Sequence, residues 1–428
     1  MPAMVRGRVP WVGAGLSLLR DPTTFFARAR VRHGDTFVAD AFGFRLFCVF
    51  SPMGVRSLYA FDERDASFGL ATYRLIGFKL PPELLAGRRN TPHSLFGAQA
   101  VEGYLRDLDA AVAAQIDELG PSGRFEAFAF ARRLGHRLGL ASWAGAEVTA
   151  SRHLDRLVPA LDAIDSSDAF VRPAQAFRTW ATKRRRERDA MASVERVIAE
   201  VIDERRATHR LGAVGDFLDR IWLSYADLSS PEREVATARD VILIHSGAQS
   251  NLHAALAWTL VDIVRRPPLL ERVLAGDTTL LDQCANESIR VAQRSITLRE
   301  VLHPLTIELE DGAYELSAGT FVTTMLSAAN CVAAPGLDRY DPSHYEPGRR
   351  TLAPTAGLAT KELVSTFGHG GHSCPAARFS ISAIRTAVLA LVEHYELTPA
   401  FDHVDPRRRQ VGGVARAERP APIDYRVR

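Results

Sequence analysis

Residues 367–375 read Phe-Gly-His-Gly-Gly-His-Ser-Cys-Pro and come directly before a segment, Ala376–Tyr395, whose apolar residues recur at helical spacing. This placement predicts that Cys374 lies at the N-terminus of a helix, where unpaired backbone N–H groups and the positive end of the helix dipole favour a thiolate. Gly370 begins a Gly-Gly pair that allows a tight turn and a close approach of the backbone to a flat ligand. The stretch therefore predicts a cysteine thiolate that binds a metal or a cofactor.

Two other interpretations of this stretch stay open on the residues alone. His369, His372 and Cys374 are all of zinc-ligand type, although their spacing crowds three ligands together and no second cluster supplies a fourth. Cys374 could also be a buried and inert side chain, because unpaired cysteine is among the most buried residue types. In the thiolate interpretation, His372 would donate a hydrogen bond to an anion beside the sulfur.

The bulk composition excludes several classes of protein. The 428 residues contain no linker or low-complexity stretch, which favours one domain over residues 1–428. A net charge of +3, spread evenly, argues against a nucleic-acid partner. The N-terminus has no apolar run near the roughly 20 residues of a membrane span, and the four widely spaced cysteines indicate no disulfide framework. We therefore expect a soluble, cytoplasmic monomer.

Hydrophobic spacing predicts a mainly helical chain with a few strands. A hairpin is expected over Thr36–Phe50, and further strands over Val301–Val322 around a turn at Asp311 and Gly312. Gly and Pro punctuate Ser67–His93, which predicts a long loop. Helices are predicted over Asp21–His33, Tyr104–Leu119, Phe125–Trp143, Ala174–His209, Pro231–Arg265, Leu280–Ala292 and Ala376–Tyr395.

A basic run, Lys183, Arg184, Arg185 and Arg186, lies inside the helix predicted over Ala174–His209. Four consecutive positions cannot share one face of a helix. The run therefore predicts a solvated helix surface, and a docking patch for an acidic partner is the alternative.

The helix predicted over Pro231–Arg265 would be about 50 Å long at about 1.5 Å per residue. Polar residues interrupt its apolar pattern halfway, among them Gln249, Ser250 and Asn251. Buried polar groups need partners and lower the helix propensity, so a role beyond stability is indicated. A notch that lets a neighbouring helix pack closely is the alternative.

The cysteine stretch resembles the heme-binding signature of the cytochrome P450 family, a phenylalanine, a glycine three residues on and a cysteine four beyond. Phe367, Gly370 and Cys374 stand at these positions, and His372 stands where the family has a basic residue. The resemblance implies heme b with Cys374 as the axial ligand of its iron. It also implies a mainly α fold with small β-sheets, an α+β fold with the heme between the long central helix and the C-terminal helix. Ala376, where glycine is commonest, is a mild departure.

A second group of residues resembles the family's ExxR helix and the segment that closes onto it. Glu287 and Arg290 match the helix motif, and Tyr340–Pro347 is similar to the closing segment. His344 stands at the usual arginine position. The resemblance therefore implies a structural network of Glu287, Arg290 and His344 whose third charge depends on pH.

The long helix departs from the family pattern of an acid followed by a threonine, which relay protons to iron-bound dioxygen. Gln249, Ser250 and Asn251 stand there instead, which resembles the cholesterol and bile-acid hydroxylases and prostacyclin synthase, where asparagine also takes the threonine place. These three are the candidate catalytic residues. Ile296–Val301 is similar to the same branch, and by that similarity Arg299 would pair with a heme propionate.

Three functions are consistent with this resemblance. In a monooxygenase, ferredoxin and its reductase deliver electrons, the Cys374 thiolate assists O–O cleavage, and Asn251 and Ser250 guide protons through ordered water. A peroxide isomerase or dehydratase would need neither O₂ nor a reductase. A non-catalytic heme-binding protein would be indicated by His245 or His253 at the sixth iron position.

The substrate is expected to be a lipophilic small molecule, terpenoid, polyketide or sterol-like, oxidised in secondary metabolism. By the family layout, the pocket walls are Phe68–Leu85 and Leu157–Ala174, whose Phe, Leu, Ile and Val content favours an apolar ligand. Four polar side chains could fix one end of it, namely Tyr73, Arg74, Asp165 and Ser166.

Overall fold

The structure is a computed structural model that describes residues 2–5, 7, 9, 11–77, 79–90, 105, 107–165, 173–352 and 357–428. The chain divides into two compact units. Unit 1 contains Met1–Ile76, Asn286–Cys374 and Asp405–Glu418, and unit 2 contains Gly77–Ala285, Pro375–Val404 and Arg419–Arg428. The expectation of a single domain over residues 1–428 stays a prediction.

The fold is mainly α-helical with small β-sheets, as predicted. None of the helices in the described part of the chain has the length and hydropathy of a membrane span. No disulfide links the four cysteines, all of which are described. The described helices are α1 (Gly15–Arg20), α2 (Pro22–His33), α3 (Pro52–Ala60), α4 (Phe68–Ile76), α5 (Pro82–Leu85), α6 (Leu108–Leu119), α7 (Ala127–Trp143), α8 (Ser151–Ile164), α9 (Pro173–Ala181), α10 (Arg185–Ala207), α11 (Phe217–Ser224), α12 (Ser230–Val264), α13 (Pro267–Leu274), α14 (Thr278–Ala292) and α15 (Ala377–His394).

Unit 1 is built on a mixed six-stranded sheet with the order β1-β2-β3-β9-β6-β4, beside the hairpin β7-β8. Phe26 from α2 packs with Phe37 and Phe50 on one face of the six-stranded sheet, and the last two rings stack with centroids 5.9 Å apart. The described strands are β1 (Ala3–Val5), β2 (Thr36–Ala41), β3 (Phe44–Val49), β4 (Ala66–Ser67), β5 (Ser122–Glu126), β6 (Ile296–Val301), β7 (Leu305–Leu309), β8 (Gly312–Leu316), β9 (Phe321–Met325), β10 (Tyr395–Pro399) and β11 (Pro422–Val427).

The two predicted hairpins are confirmed. β2 and β3 pair antiparallel, and their two turn residues, Phe42 and Gly43, both have positive φ angles of 53° and 81°. Such a turn matches the right-handed twist of the strands that it joins. β7 and β8 pair antiparallel around Glu310 and Asp311.

Unit 2 is organised around α12, which spans 35 residues and confirms the long helix of the sequence analysis. It begins with a capping box in which the Ser229 N–H donates to Glu232 at 3.3 Å, and Pro231 lies in its first turn. The helix packs against α7, α10, α11 and α15. The three-stranded sheet β10-β11-β5 belongs to the same unit.

The single helix predicted over Ala174–His209 is wrong. The structure has α9 and α10 instead, separated by a turn in which Lys183 and Arg184 adopt φ angles of 49° and 60°. Hydrophobic spacing could not reveal the break, because lysine and arginine rarely take the left-handed conformation. The basic run therefore does not lie inside one helix.

The loop predicted over Ser67–His93 is also wrong in part. α4 and α5 occupy much of it, with Gly and Pro at the ends of the helices, such as Pro82 in the first turn of α5. Glycine and proline therefore mark helix boundaries here more than irregular structure. Residues 78 and 91–93 of this stretch lie outside the described residues.

A chain of buried side chains fixes α12 against α7 and α8. Trp143 donates its indole N–H to His245 Nδ1 at 3.0 Å, and His245 Nε2 and His136 Nδ1 lie 2.8 Å apart. His136 Nε2 lies 3.1 Å from Asp162 Oδ1. Indole is only a donor and a carboxylate is only an acceptor, so both histidines are neutral and each donates through Nε2.

Burial lowers the pKa of His245 to about 3. The ring is fully buried, stacks on His136 and approaches Trp143 edge-on. The other ionisable groups of this cluster are His253, whose ring lies 4.5 Å from that of His136, and Asp162, which also pairs with Arg132. Protonation of His245 would break the chain, since Nδ1 could no longer accept from the indole.

We expect the folded protein to lose stability in acid. The pKa of His245 is about 3 in the folded protein against an ordinary value of 6.5, so the unfolded chain binds a proton that the folded chain excludes as the pH falls from about 6.5 to about 3. In this window the proton lowers the free energy of unfolding by up to about 1.4 kcal/mol per pH unit. His245→Gln keeps the hydrogen bonds to Trp143 and His136 but cannot titrate. In chemical denaturation from pH 7 to pH 4, the free energy of unfolding of this variant should depend on pH less steeply than that of the wild type, by the equivalent of one bound proton.

His303→Gln, at an exposed position, serves as the control and should keep the wild-type slope. A His245→Gln variant with the full wild-type slope would show that another group takes up the proton.

Candidate functional site

The cysteine stretch forms a tight loop in unit 1. The Cys374 N–H donates to the Phe367 carbonyl at 2.6 Å, and the Gly368 N–H donates to Ser365 Oγ at 3.0 Å. Gly368 and Gly370 have φ angles of 77° and 56°. A Cβ at Gly368 would collide with the His372 carbonyl, so this turn requires glycine. The helix that follows begins at Ala377, one residue later than predicted.

Two predicted ligands of an anion, Arg299 and His372, lie together beside this loop. Arg299 Nη2 contacts His372 Nε2, and its Nη1 donates to the Ala66 carbonyl at 2.6 Å. Burial lowers the pKa of Arg299, and burial followed by the charge of Arg299 lowers the pKa of His372 to about 4. Glu63, 3.8 Å from Arg299, is the nearest described carboxylate.

This pair fits an anionic group such as a heme propionate. Arg299 Nε and His372 Nδ1 are buried and have no hydrogen-bond partner among the described atoms. Buried polar atoms of native proteins are normally satisfied by a protein group, water or a ligand. A carboxylate would accept from the guanidinium and would compensate its buried charge.

The predicted structural network is assembled in unit 1 as one buried cluster. Arg290 donates Nε and Nη2 to the two oxygens of Glu287 at 2.7 and 2.6 Å, and both side chains are fully buried. His344 Nδ1 lies 2.9 Å from Glu287 Oε1, which also accepts the Asp341 N–H at 2.9 Å. The remaining N–H groups of Arg290 donate to the carbonyls of residues 330, 337 and 339. The ion pair is therefore fully hydrogen-bonded, as a buried pair must be to be tolerated.

Asn330 connects this network to the cysteine loop, and the sequence analysis did not identify it. Its Nδ2 donates to the carbonyls of Ser365 at 2.9 Å and Arg290 at 3.2 Å, and its Oδ1 accepts the Ser365 N–H at 3.0 Å. The side chain is fully buried. Its partners are backbone groups 35 and 40 residues away, so no local pattern marks it.

The candidate catalytic residues of α12 lie on different faces of the helix. Asn251 and Gly247 are exposed and lie four residues apart, so they share one face. A Cβ at Gly247 would meet no atom within 4 Å. Gln249 is buried, with Nε2 donating to the Leu161 carbonyl at 3.3 Å. Ser250 is half-buried between the two faces.

His245 and His253, one of which a non-catalytic heme-binding protein would use as the sixth iron ligand, have other contacts in unit 2. His245 is held by Trp143 and His136. His253 lies against Gly135 and packs on the ring of His136. Both rings face α7, so the observation that would have favoured a heme carrier is not present.

The zinc interpretation finds no support, because the described residues contain no group of three His, Cys, Asp or Glu side chains that could hold a metal ion. His369 Nε2 lies 2.9 Å from the Val364 carbonyl, which engages it within the loop. Cys374 is half-buried rather than enclosed, unlike an inert core cysteine.

The chain is similar over its whole length to known enzymes. It is 20% identical to 24-hydroxycholesterol 7-alpha-hydroxylase of Mus musculus, over 100% of this chain and 93% of the relative. It is 22% identical to prostacyclin synthase of Homo sapiens, over 100% of this chain and 94% of the relative. The retinoic acid bound cyanobacterial CYP120A1 has the same fold, with a TM-score of 0.74 at 16% identity, over 100% of this chain and 99% of that chain. No protein-family model matches the chain.

We expect Asn330→Ala to loosen the cysteine loop. The change leaves buried backbone groups of Arg290 and Ser365 without partners, which should lower the free energy of unfolding by about 1–3 kcal/mol. Heme transfer to apomyoglobin should become about tenfold faster, as a loss of about 1.4 kcal/mol would give. Thr306→Ala, at an exposed position of β7, is the control. Wild-type heme transfer in Asn330→Ala would contradict a link between the network and the loop.

The fold, the cysteine loop and the relatives support one identification. The loop presents a cysteine at the position of the heme-binding signature, and Arg299 and His372 fit a propionate beside it. Two relatives that match the whole chain, and a solved structure with the same fold, agree with a heme-binding site at this loop. These findings support a cytochrome P450, an oxidoreductase that holds heme b.

Proposed function

We propose that this P450 is a monooxygenase that oxidises a lipophilic small molecule with electrons from a ferredoxin and its reductase. One atom of O₂ enters the substrate as a hydroxyl group and the other leaves as water, with two electrons from ferredoxin and two protons from solvent. The 7-alpha-hydroxylase relative has such an activity in its name. The single observation that carries the proposal is the open face of α12, where Asn251 lies one turn from Gly247.

This face can direct a proton without carrying one. The Asn251 amide can donate and accept hydrogen bonds but cannot titrate, so its role is to orient a water molecule. Ser250, half-buried beside it, offers a hydroxyl that can pass a proton from one oxygen to another. Gly247 leaves room for a small ligand or water, because no side chain projects there. We assign the proton path to Asn251 and Ser250.

Gln249 takes a positioning role in this proposal. Its Nε2 donates to the Leu161 carbonyl of α8, and the side chain is only 1% exposed. It is thus directed away from the face that carries Asn251. Its hydrogen bond would fix α12 against rotation about its own axis, and this would fix the direction in which the Asn251 side chain points.

Heme b would supply the iron at which dioxygen is bound and activated. Cys374 would hold it through the thiolate, with Phe367 and Gly370 shaping the loop around the sulfur. Arg299 and His372 would bind a propionate through their buried nitrogen atoms. Glu287, Arg290 and His344 would act only through the loop that they support.

The substrate is proposed to be terpenoid, polyketide or sterol-like, in secondary metabolism. The named relatives act on or bind lipids, as the hydroxylase and the retinoic acid complex indicate, and this supports an apolar ligand. Two of the polar side chains predicted to fix one end of the substrate differ in their surroundings. Arg74 already forms an ion pair with Glu300 at 2.8 Å. Tyr73 is 49% exposed. Asp165 is buried, and its carbonyl accepts from Lys79. Ser166 and residues 167–172 lie outside the described residues.

A peroxide isomerase or dehydratase is the second candidate. The observation that favours it is the lack of any titratable side chain from Ser246 to Asn251, because such an enzyme needs no proton relay for O₂. We also propose that the protein is a monomer in the cytoplasm, where a reducing environment suits four cysteines without a disulfide.

A paired incubation distinguishes the two candidates. The holoenzyme is incubated with lipophilic metabolites of its host under ¹⁸O₂, with and without a surrogate ferredoxin and reductase. We expect a product that carries one ¹⁸O atom and forms only with reductant. A product that forms without reductant and without label would establish the isomerase or dehydratase instead.

The role of Asn251 is tested by the yield of product per electron. Asn251→Ala should release more reduced oxygen as hydrogen peroxide and lower this yield about tenfold, the effect of about 1.4 kcal/mol on the competing step. Ser230→Ala, at the exposed start of the same helix, is the control. An unchanged yield in Asn251→Ala, with the heme spectrum intact, would remove Asn251 from the proton path.

A further inference from the structure

Trp143 is a buried indole with a base on its only polar atom. Its side chain is 1% exposed, and its Nε1–H donates to Nδ1 of His245 at 3.0 Å. An indole nitrogen is only a donor, so this hydrogen bond has one direction. Indole is also one of the side chains most easily oxidised by one electron, and the loss of an electron makes its N–H strongly acidic. Trp143 therefore has a proton acceptor at the atom that oxidation would make acidic.

This acceptor is the first member of a proton relay that ends near the surface. His245 Nε2 donates to His136 Nδ1 at 2.8 Å, and His136 Nε2 donates to Asp162 Oδ1 at 3.1 Å. Both imidazole rings are fully buried, whereas the Asp162 side chain is 17% exposed. A neutral imidazole can take a proton at Nδ1 while it gives one up from Nε2. A proton that leaves the indole thus has a continuous path to a carboxylate.

The relay can move this proton without leaving a charge in the buried part of unit 2. Burial lowers the pKa of His245 to about 3, so a positively charged ring is costly at this position. If the protons shift together, both rings stay neutral and only the Asp162 carboxylate changes its charge. Arg132, which pairs with Asp162 at 2.7 Å, is 42% exposed, so water can then compensate its charge. The arrangement therefore favours a neutral indole radical over a buried cation.

Trp143 also contacts the helix that follows the cysteine loop. Its ring centroid lies 5.4 Å from that of Phe379, with the two planes tilted by 58°. Aromatic rings at this separation are in direct contact. Phe379 lies in the first turn of α15, five residues after Cys374 in the sequence. One ring therefore separates the indole from the segment that begins at the proposed heme ligand.

We propose that Trp143 is a redox-active residue, which gives one electron to the heme when hydrogen peroxide oxidises it and passes its proton to Asp162. The peroxide takes up two electrons and two protons from solvent, its O–O bond breaks, and two molecules of water form. One electron comes from the heme and the other from Trp143. The indole N–H bond breaks, each imidazole gains a proton at Nδ1 as it loses one at Nε2, and an O–H bond forms on Asp162.

This reaction would protect the protein when the heme is oxidised and no substrate is bound. A one-electron reductant would restore the indole, with the proton returning along the same hydrogen bonds. Packing of α7 against α12 could use any buried donor in place of the indole, so packing alone does not call for an oxidisable ring in contact with α15. The inference rests on the bound heme and is independent of the substrate and of the role of Asn251.

Freeze-quench electron paramagnetic resonance of the substrate-free holoenzyme tests the proposal. The probe is hydrogen peroxide, and the heme spectrum before mixing verifies that each variant is loaded. We expect the signal of a neutral tryptophan radical in the wild type and no such signal in Trp143→Phe. Trp222→Phe removes another buried tryptophan, 7% exposed and covered by Arg233, and should keep the signal. After repeated peroxide treatment of the wild type, peptide mass spectrometry should locate added oxygen at Trp143.

His245→Gln tests the relay separately from the fold. The amide can accept from the indole and donate to His136, but it does not pass a proton on as an imidazole does. Radical formation in the wild type should be slower in D₂O than in H₂O, because N–H bonds break in this step, and His245→Gln should lose this isotope effect. The variant should also form the neutral radical about tenfold more slowly, the effect of about 1.4 kcal/mol on the barrier.

Three results would overturn the proposal. The first is a wild-type heme that reacts with peroxide while no tryptophan radical forms. The second is a radical that persists in Trp143→Phe, or oxygen added at other tryptophans and not at Trp143, which the wild type alone can show if that variant fails to fold. The third is a wild-type rate and isotope effect in His245→Gln, which would make the row of hydrogen bonds a packing feature only.

Discussion

The buried ion pair between Glu287 and Arg290 is the constraint on which unit 1 depends. Removing two charges from water costs several kcal/mol each unless every lone pair and proton is satisfied. Here the hydrogen bonds of the ion pair are completed by three backbone carbonyls, the Asp341 N–H and His344. Through Asn330, the same cluster holds Ser365 and so the start of the cysteine loop. The position of the thiolate loop thus rests on a polar cluster that tolerates little change.

In unit 2, a row of hydrogen bonds between buried side chains fixes the long helix α12. The hydrogen bonds from Trp143 through His245 and His136 to Asp162 run in one direction, because an indole begins the chain and a carboxylate ends it. At about 100° per residue, His245, Gln249 and His253 lie within roughly a quarter turn of one another. One face of α12 is therefore committed to α7 and α8, which leaves the face with Gly247 and Asn251 open.

Local patterns made much of this arrangement predictable, and non-local contacts account for the rest. The cysteine loop, the Glu287 and Arg290 motif and the long helix are each set by residues a few positions apart. Asn330 was missed because it binds backbone groups, which leave no trace in residue identity. The break at Lys183 and Arg184 was missed because cations rarely adopt positive φ. Gln249, Ser250 and Asn251 were found as a group, but only the structure separates their faces.

The geometry also limits where protons for the proposed reaction can come from. His245 lies within two residues of Gly247, yet its two nitrogen atoms are occupied by Trp143 and His136. Reversing the chain would require the indole to accept a hydrogen bond, which it cannot do. The low pKa of His245, about 3, likewise keeps it neutral at physiological pH. The buried histidines therefore hold α12 without supplying protons, and in the proposed reaction water oriented by Asn251 and Ser250 must supply them.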